Sequence, residues 1–147
     1  MSNTDKMQNS PEFITRLEKE YDEIFDPLEA GQTKLDTLAA LCHAQNTKWW
    51  VDVSGNRIAR NKGELIALMH SELSEMLEGV RKSLQDNHLP QFTSEEVELA
   101  DLLIRAFDYA GGHGLRLGEA WKEKMKYNAT REDHKHEARA QQHGKKF

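Results

Sequence analysis

Thr93-Ser94-Glu95-Glu96-Val97-Glu98-Leu99-Ala100-Asp101-Leu102-Leu103-Ile104-Arg105-Ala106-Phe107-Asp108-Tyr109-Ala110 is the stretch on which the fold turns. Thr93 and Glu96 stand at capping-box spacing, a hydroxyl followed three residues on by a carboxylate, which marks a helix start. Apolar residues from Val97 to Ala110 then cover most of the helix circumference. The exceptions, Glu98, Asp101, Arg105 and Asp108, share one wedge. A helix apolar on nearly every other side is buried, so the wedge faces an interior or a cleft. The breadth of the apolar surface predicts that part of it packs on another subunit. A purely structural reading also exists, in which Arg105 pairs Asp101 and Asp108 along the helix.

Upstream, Lys62 to about Leu84 has the same period, with Asn61 as N-cap and Glu64 three residues into the helix. Its stripe is Leu65, Ile66, Met69, Leu73, Met76, Leu77, Val80 and Leu84. Glu72 falls at the edge of that stripe, Glu75 lies further round, and Glu78 points away. The turn-rich Gln85-Asp86-Asn87-His88-Leu89-Pro90 joins the two helices. Antiparallel packing would bring Glu72, Glu75, Glu98 and Asp101 together. Like charges so gathered need a counter-charge. Clustered carboxylates suit hard divalent cations such as Mg2+.

The remaining segments are read in the same way. Ser10-Pro11 opens a helix carrying Phe13, Ile14, Leu17, Tyr21, Ile24 and Phe25, ended by Asp26-Pro27 and Gly31. A second helix begins near Thr33 and places Leu35, Leu38, Ala39, Cys42, Gln45, Asn46 and Trp49 on one face. Cys42 reads as a small core residue. Val51 to Arg60 is a loop or short hairpin around Ser54-Gly55-Asn56. Gly111-Gly112-His113-Gly114 is expected to break the chain before a last helix, about Leu117 to Ala129. The expected organisation is an N-terminal extension with one helix over 1–33, a core domain over 34–130 and a polar tail over 131–147. The class is all-α: an antiparallel helical bundle of about four core helices plus an N-terminal helix, assembled as a homo-oligomer.

A chain of 147 residues, 37% hydrophobic and 31% charged, suits one domain with a real core. Its three prolines favour helices, and its net charge of −5 weighs against a nucleic-acid coat. The single cysteine, Cys42, allows no internal disulfide. Met1 to Lys6 lacks the apolar core of a signal peptide, and no stretch has the ~18 apolar residues of a membrane span. The expectation is a cytoplasmic protein without membrane or nucleic-acid partners.

Lys124, Asn128 and Arg131 form an i, i+4, i+7 stripe on the inward face of the last helix, with Leu117, Trp121 and Met125. A snorkelling lysine is the bland reading. The functional one is a phosphate clamp of point charge, amide and guanidinium fork. Trp49-Trp50 is either core packing or a flat surface for a nucleobase, with Asn46 or Gln45 reading its edge. His134, His136 and His143 belong to a solvated tail. There is no Gly-rich phosphate loop, no Glu-x-x-His pair of a di-iron bundle, and no nucleophile elbow.

Glu72-x-x-Glu75, 22 residues, then Glu98-x-x-Asp101, followed by Lys124-x-x-x-Asn128-x-x-Arg131, resembles the motif set of the all-α, MazG-like nucleoside triphosphate pyrophosphohydrolases, closest to small phage and bacterial members. The likeness runs from about Asn46 to Phe147 and takes in Trp49-Trp50 and Asp86-x-His88-Leu89-Pro90. Ser71 stands where some relatives carry a further acid. The resemblance implies Mg2+-dependent cleavage of (deoxy)nucleoside triphosphates to monophosphate and pyrophosphate, with Mn2+ able to substitute. It implies Glu72, Glu75, Glu98 and Asp101 as metal ligands; Glu72, which its place at the edge of the apolar stripe should desolvate, is the expected general base. Glu72, Glu75 and Lys124 are its catalytic set, Lys124, Asn128 and Arg131 hold phosphates, and Asn46, Trp49 and Trp50 frame the base. Homodimers or dimers of dimers are implied, and purine dNTPs (dGTP or dATP) in phage nucleotide metabolism, in the host cytoplasm, are one candidate substrate class. Phosphoribosyl-ATP, dUTP or dCTP, and a non-enzymatic helical interaction module are the alternatives.

Overall fold

A computed structural model describes residue 19 and residues 33–131. Apart from residues 19 and 131, the expected helix from Pro11 and the polar tail lie outside the described residues. Among those residues the architecture is helical, without a β-strand: α1 (Lys34–Asn46), a 3-10 turn (Thr47–Trp49), α2 (Lys62–Lys82), α3 (Ser94–Gly112) and α4 (Leu117–Thr130). Residues Asp36–Leu115 form one compact unit, and α4 belongs to a second.

Local chemistry fixes the ends of α2 and α3. The Asn61 side chain accepts from the N–H groups of Gly63 and Glu64, satisfying two donors of the first turn. Ser83, at φ 52°, closes α2 in the left-handed region and donates its N–H to the Gly79 and Val80 carbonyls. In the connection, the Asp86 carboxylate accepts from the N–H groups of His88 (2.8 Å) and Leu89 (2.6 Å), and an antiparallel bridge pairs Gln85 with Thr93. Thr93 and Glu96 then form the reciprocal capping box that starts α3.

α2 and α3 pack on one another as an antiparallel pair. At one end Gly79 meets Ser94, so closely that a Cβ at Gly79 would lie 2.6 Å from Ser94 Oγ. Further back along α2, Glu72 faces Arg105. The C-terminal half of α3 receives α1: a Cβ at Gly111 would lie 2.5 Å from the Ala39 carbonyl oxygen and 2.7 Å from His43 Cβ. The segment after α1 is a small hairpin, with Val51 bridged to Arg57 and the Asp52 carboxylate accepting from the N–H groups of Ser54 and Asn56. Gly55, at φ 81°, supplies the left-handed turn residue.

The glycine run differs from its sequence reading. α3 does not stop at Ala110; it continues through Gly111 and Gly112 to a cap at His113, and Gly114 takes the positive φ. The reason is tertiary. Both glycines are surfaces for close approach, by α1 at Gly111 and by the Trp50 ring at Gly112, and these contacts outweigh the low helix propensity of glycine. The apolar stripe of α2 also divides. Leu65 is buried, whereas Leu73, Leu77 and Val80 on α2, and Leu99 and Leu103 on α3, stand exposed in the single chain.

Candidate functional site

The α2–α3 pair brings three of the four expected acids into one cluster. Carboxylate oxygens of Glu72, Glu98 and Asp101 all lie within 4.8 Å of one another. Glu72 is the innermost, 5% exposed. Glu75, one turn along α2 and open to solvent, stands beside the trio, and its charge still reaches Glu98.

This crowding perturbs the group. Partial burial pushes the Glu98 carboxyl above its usual range; the Glu75 charge, a hydrogen bond shared with Glu72, and the charges of Glu72 and Asp101 push it further. Loss of water also raises Asp101, helped by Glu72 and, more weakly, Asp86, while Arg105 pulls it back. Both acids are therefore easier to protonate in the fold than in the unfolded chain.

Arg105 does not pair within its own helix as the structural reading of the wedge expects. Its Nε lies 2.5 Å from Glu72 Oε1, across the helix pair. Asp108 is engaged elsewhere: its Oδ1 lies 2.8 Å from His43 Nδ1, and its two oxygens accept from the Trp50 indole N–H at 3.0 and 3.1 Å. The wedge thus splits into an acidic end at Glu98 and Asp101 and an anchoring end at Asp108.

A cavity of about 490 Å3 adjoins the cluster, lined by Asn46, Trp49, Arg60, Leu65, Leu68, Asp101, Ile104, Arg105 and Asp108. That volume is within the range of small-molecule sites. Two expected base-framing residues, Asn46 and Trp49, and one expected metal ligand, Asp101, share its wall. Trp49 is 59% exposed, with Lys48 Nζ 5.1 Å from its ring centroid. Arg60 donates to the Trp49 carbonyl at 2.7 Å, fixing the turn that presents the indole.

Trp50 is placed differently from its neighbour. It is 2% exposed, tied to Asp108 and flanked edge-on by His43 (5.0 Å) and His113 (5.3 Å). A ring so enclosed has no open face for a nucleobase; it anchors the hairpin that carries Trp49. Burial pushes the His113 imidazole below its usual range, with the charges of Lys62 and Arg57 adding to it against Asp108. Cys42 is half-buried on α1, its thiol raised by burial and by the Asp108 charge.

The basic stripe lies on α4, in the second unit. There Lys124 Nζ sits 4.8 Å from the Tyr127 ring centroid and the Arg131 guanidinium 5.7 Å from the same ring. The Asn128 Oδ1 is buried and accepts no hydrogen bond among the described residues. Arg60 and the Glu72 partnership of Arg105 are the features that periodicity did not single out. The only signal for the second was that Arg105 lies one turn beyond Asp101; Arg60, in a loop, carried none. Comparison with protein-family models, with curated proteins and with solved structures found no match to this chain.

Proposed function

We propose that this chain hydrolyses (deoxy)nucleoside triphosphates to monophosphate and pyrophosphate with Mg2+, as the MazG-like proteins that its motifs resemble do. The observation that carries the reading is the meeting of the Glu72–Glu98–Asp101 cluster with a cavity walled by Asn46 and Trp49. An acid cluster alone is common. One that opens beside an indole and an amide, at the size of a small-molecule site, suits a ligand with an anionic end and a flat end.

The donor set fits Mg2+. All the clustered atoms are carboxylate oxygens, the ligands a hard cation takes. Crowding raises two of the three acids, as happens where a positive charge is wanted. Glu72, Glu98 and Asp101 would hold the metal, with Glu75 alongside Glu98. Bound there, Mg2+ supplies Lewis acidity, neutralising phosphate charge and acidifying a water. Glu72, the innermost of the three carboxylates, is the general base. Trp49 stacks on the base, Asn46 reads its edge, and Trp50 holds the hairpin. Lys124, Asn128 and Arg131 bind phosphates, a role supported by their i, i+4, i+7 spacing on one face of α4. The exposed leucines of α2 and α3 support a homodimer or dimer of dimers.

The test is a panel of all common NTPs and dNTPs with Mg2+, with Mn2+ and with chelator, products resolved as mono- or diphosphate. Metal-dependent monophosphate and pyrophosphate are expected, purine dNTPs leading; phosphoribosyl-ATP, dUTP and dCTP belong in the same panel. No turnover on any of them, with no joint stabilisation by Mg2+ and a non-hydrolysable triphosphate, would overturn the reading in favour of an interaction module. Trp49→Ala should raise KM about tenfold with kcat nearly unchanged, since one base–aromatic stack is worth ~1–3 kcal/mol, and Trp49→Phe should recover most of it. Steady-state kinetics on the preferred triphosphate would check this, and an unchanged KM would remove Trp49 from the base site.

A further inference from the structure

We propose that Arg105 is a resident counter-ion that the metal displaces, and that its guanidinium then turns to the substrate phosphates, coupling metal binding to nucleotide binding. The proposal rests on the metal reading of the cluster. Three carboxylates converge, and among the described residues Glu72 is the member of the trio that forms an ion pair, with Arg105. The Nε of Arg105 occupies the approach to Glu72 Oε1 at 2.5 Å. A Mg2+ ligand sits 2.0–2.1 Å from its metal. A dication on either oxygen of that carboxylate would lie close enough to the guanidinium to repel it.

Glu72 has little freedom to move, because it is buried, whereas the Arg105 side chain is 42% exposed. The exchange therefore moves the arginine. Its available exit is the cavity it already lines, between Asp101 at the cluster and Asn46 and Trp49. A triphosphate whose base lies against Trp49 and whose phosphates reach the metal spans that space. A planar fork that has lost its carboxylate is suited to a phosphate there. Mg2+ alone must therefore break an ion pair to bind, while Mg2+ with a triphosphate gives the guanidinium a new anion. Coupling of this kind is reciprocal.

The sign of the effect separates this role from a structural one. If Arg105 merely positions Glu72, its removal should weaken Mg2+ binding. If it competes, removal should strengthen it. Titration calorimetry of the whole chain with Mg2+ alone, and with Mg2+ plus a non-hydrolysable triphosphate, reads both. In Arg105→Gln, affinity for Mg2+ alone should rise by up to about fivefold, the scale of one half-exposed ion pair. The gain in Mg2+ affinity conferred by the triphosphate should shrink by a similar factor. Arg105→Lys, which keeps the charge without the fork, should fall between and serves if the glutamine variant does not fold. Unchanged or weaker Mg2+ binding in both variants, with a normal wild type, overturns the role of Arg105. A wild type that binds no Mg2+ overturns the metal reading, and this proposal with it.

Discussion

Asp101→Asn is expected to reduce Mg2+-dependent pyrophosphate release about a thousandfold or more, yet to give a chain that melts higher than wild type at pH 7 without divalent cations. The loss follows from the position of Asp101, which belongs both to the carboxylate trio and to the cavity wall. Removing one preorganised charge from such a centre removes stabilisation that operates where phosphate charge develops. The gain follows from the raised Asp101 carboxyl. Partial burial is the first cause and the Glu72 charge the second, against the pull of Arg105. A carboxyl raised above its unfolded value of 3.8 contributes stability that is full below that value and is lost as pH rises through the folded one. At neutral pH the ionised group therefore opposes folding, and asparagine, of nearly the same shape, does not. The advantage of Asp101→Asn should shrink as pH falls towards 3.8. Added Mg2+ should reverse the order, since a ligand at a hundred times its Kd stabilises by ~2.7 kcal/mol only where its site is intact. Melting curves over pH with and without Mg2+, run beside the pyrophosphate assay, check all three statements. A variant that keeps turnover, or melts lower than wild type at pH 7 without metal, would contradict the assignment.

Features decided within a few residues were legible in the sequence, and features decided by cross-helix register were not. Asn61, Thr93 and Glu96 announced the starts of α2 and α3 because capping is local hydrogen bonding. Helical phase was enough to separate a buried Glu72 from an open Glu75 on the same α2 face. The partner of Arg105 was not legible: Asp101 and Asp108 are as near along the chain as any helix allows, but Asp108 is held by His43 and Trp50, and Glu72 arrives from α2. The division of Trp49 from Trp50 was hidden for a related reason. Two adjacent indoles look alike to periodicity, and the Val51–Arg57 bridge and the Asp108 carboxylate decide which one goes inward. The glycines of α3 were read by propensity, a weak prior that close packing overrides.

Gly112→Ala should destabilise the fold by about 3 kcal/mol, although alanine is the better helix former by ~1 kcal/mol. A Cβ at this position would overlap Cη2 and Cζ2 of Trp50 and lie 2.9 Å from Cζ3. Trp50 has nowhere to retreat. Its indole nitrogen is held by Asp108, the Arg57 and Arg60 guanidinium carbons lie 5.7 and 5.9 Å from its ring, and Arg57 also grips the Gly112 carbonyl. Overpacking of a ring pinned on several sides falls at the upper end of the usual range. A fall in Tm of roughly 5–10 °C is expected for a chain of this size. The clash involves only the six-membered ring of the indole, so a double-mutant cycle can isolate it. Trp50→Phe removes those atoms and should itself destabilise, by leaving Asp108 short of a donor. In the double variant the alanine should cost less than in the wild-type background, by at least ~1 kcal/mol. Strict additivity would mean that Gly112 is needed for backbone freedom, not for the close approach of Trp50. Because Trp50 anchors the hairpin that presents Trp49, Gly112→Ala should also raise KM for the triphosphate, a change that repacking at Trp50→Phe would relieve in part.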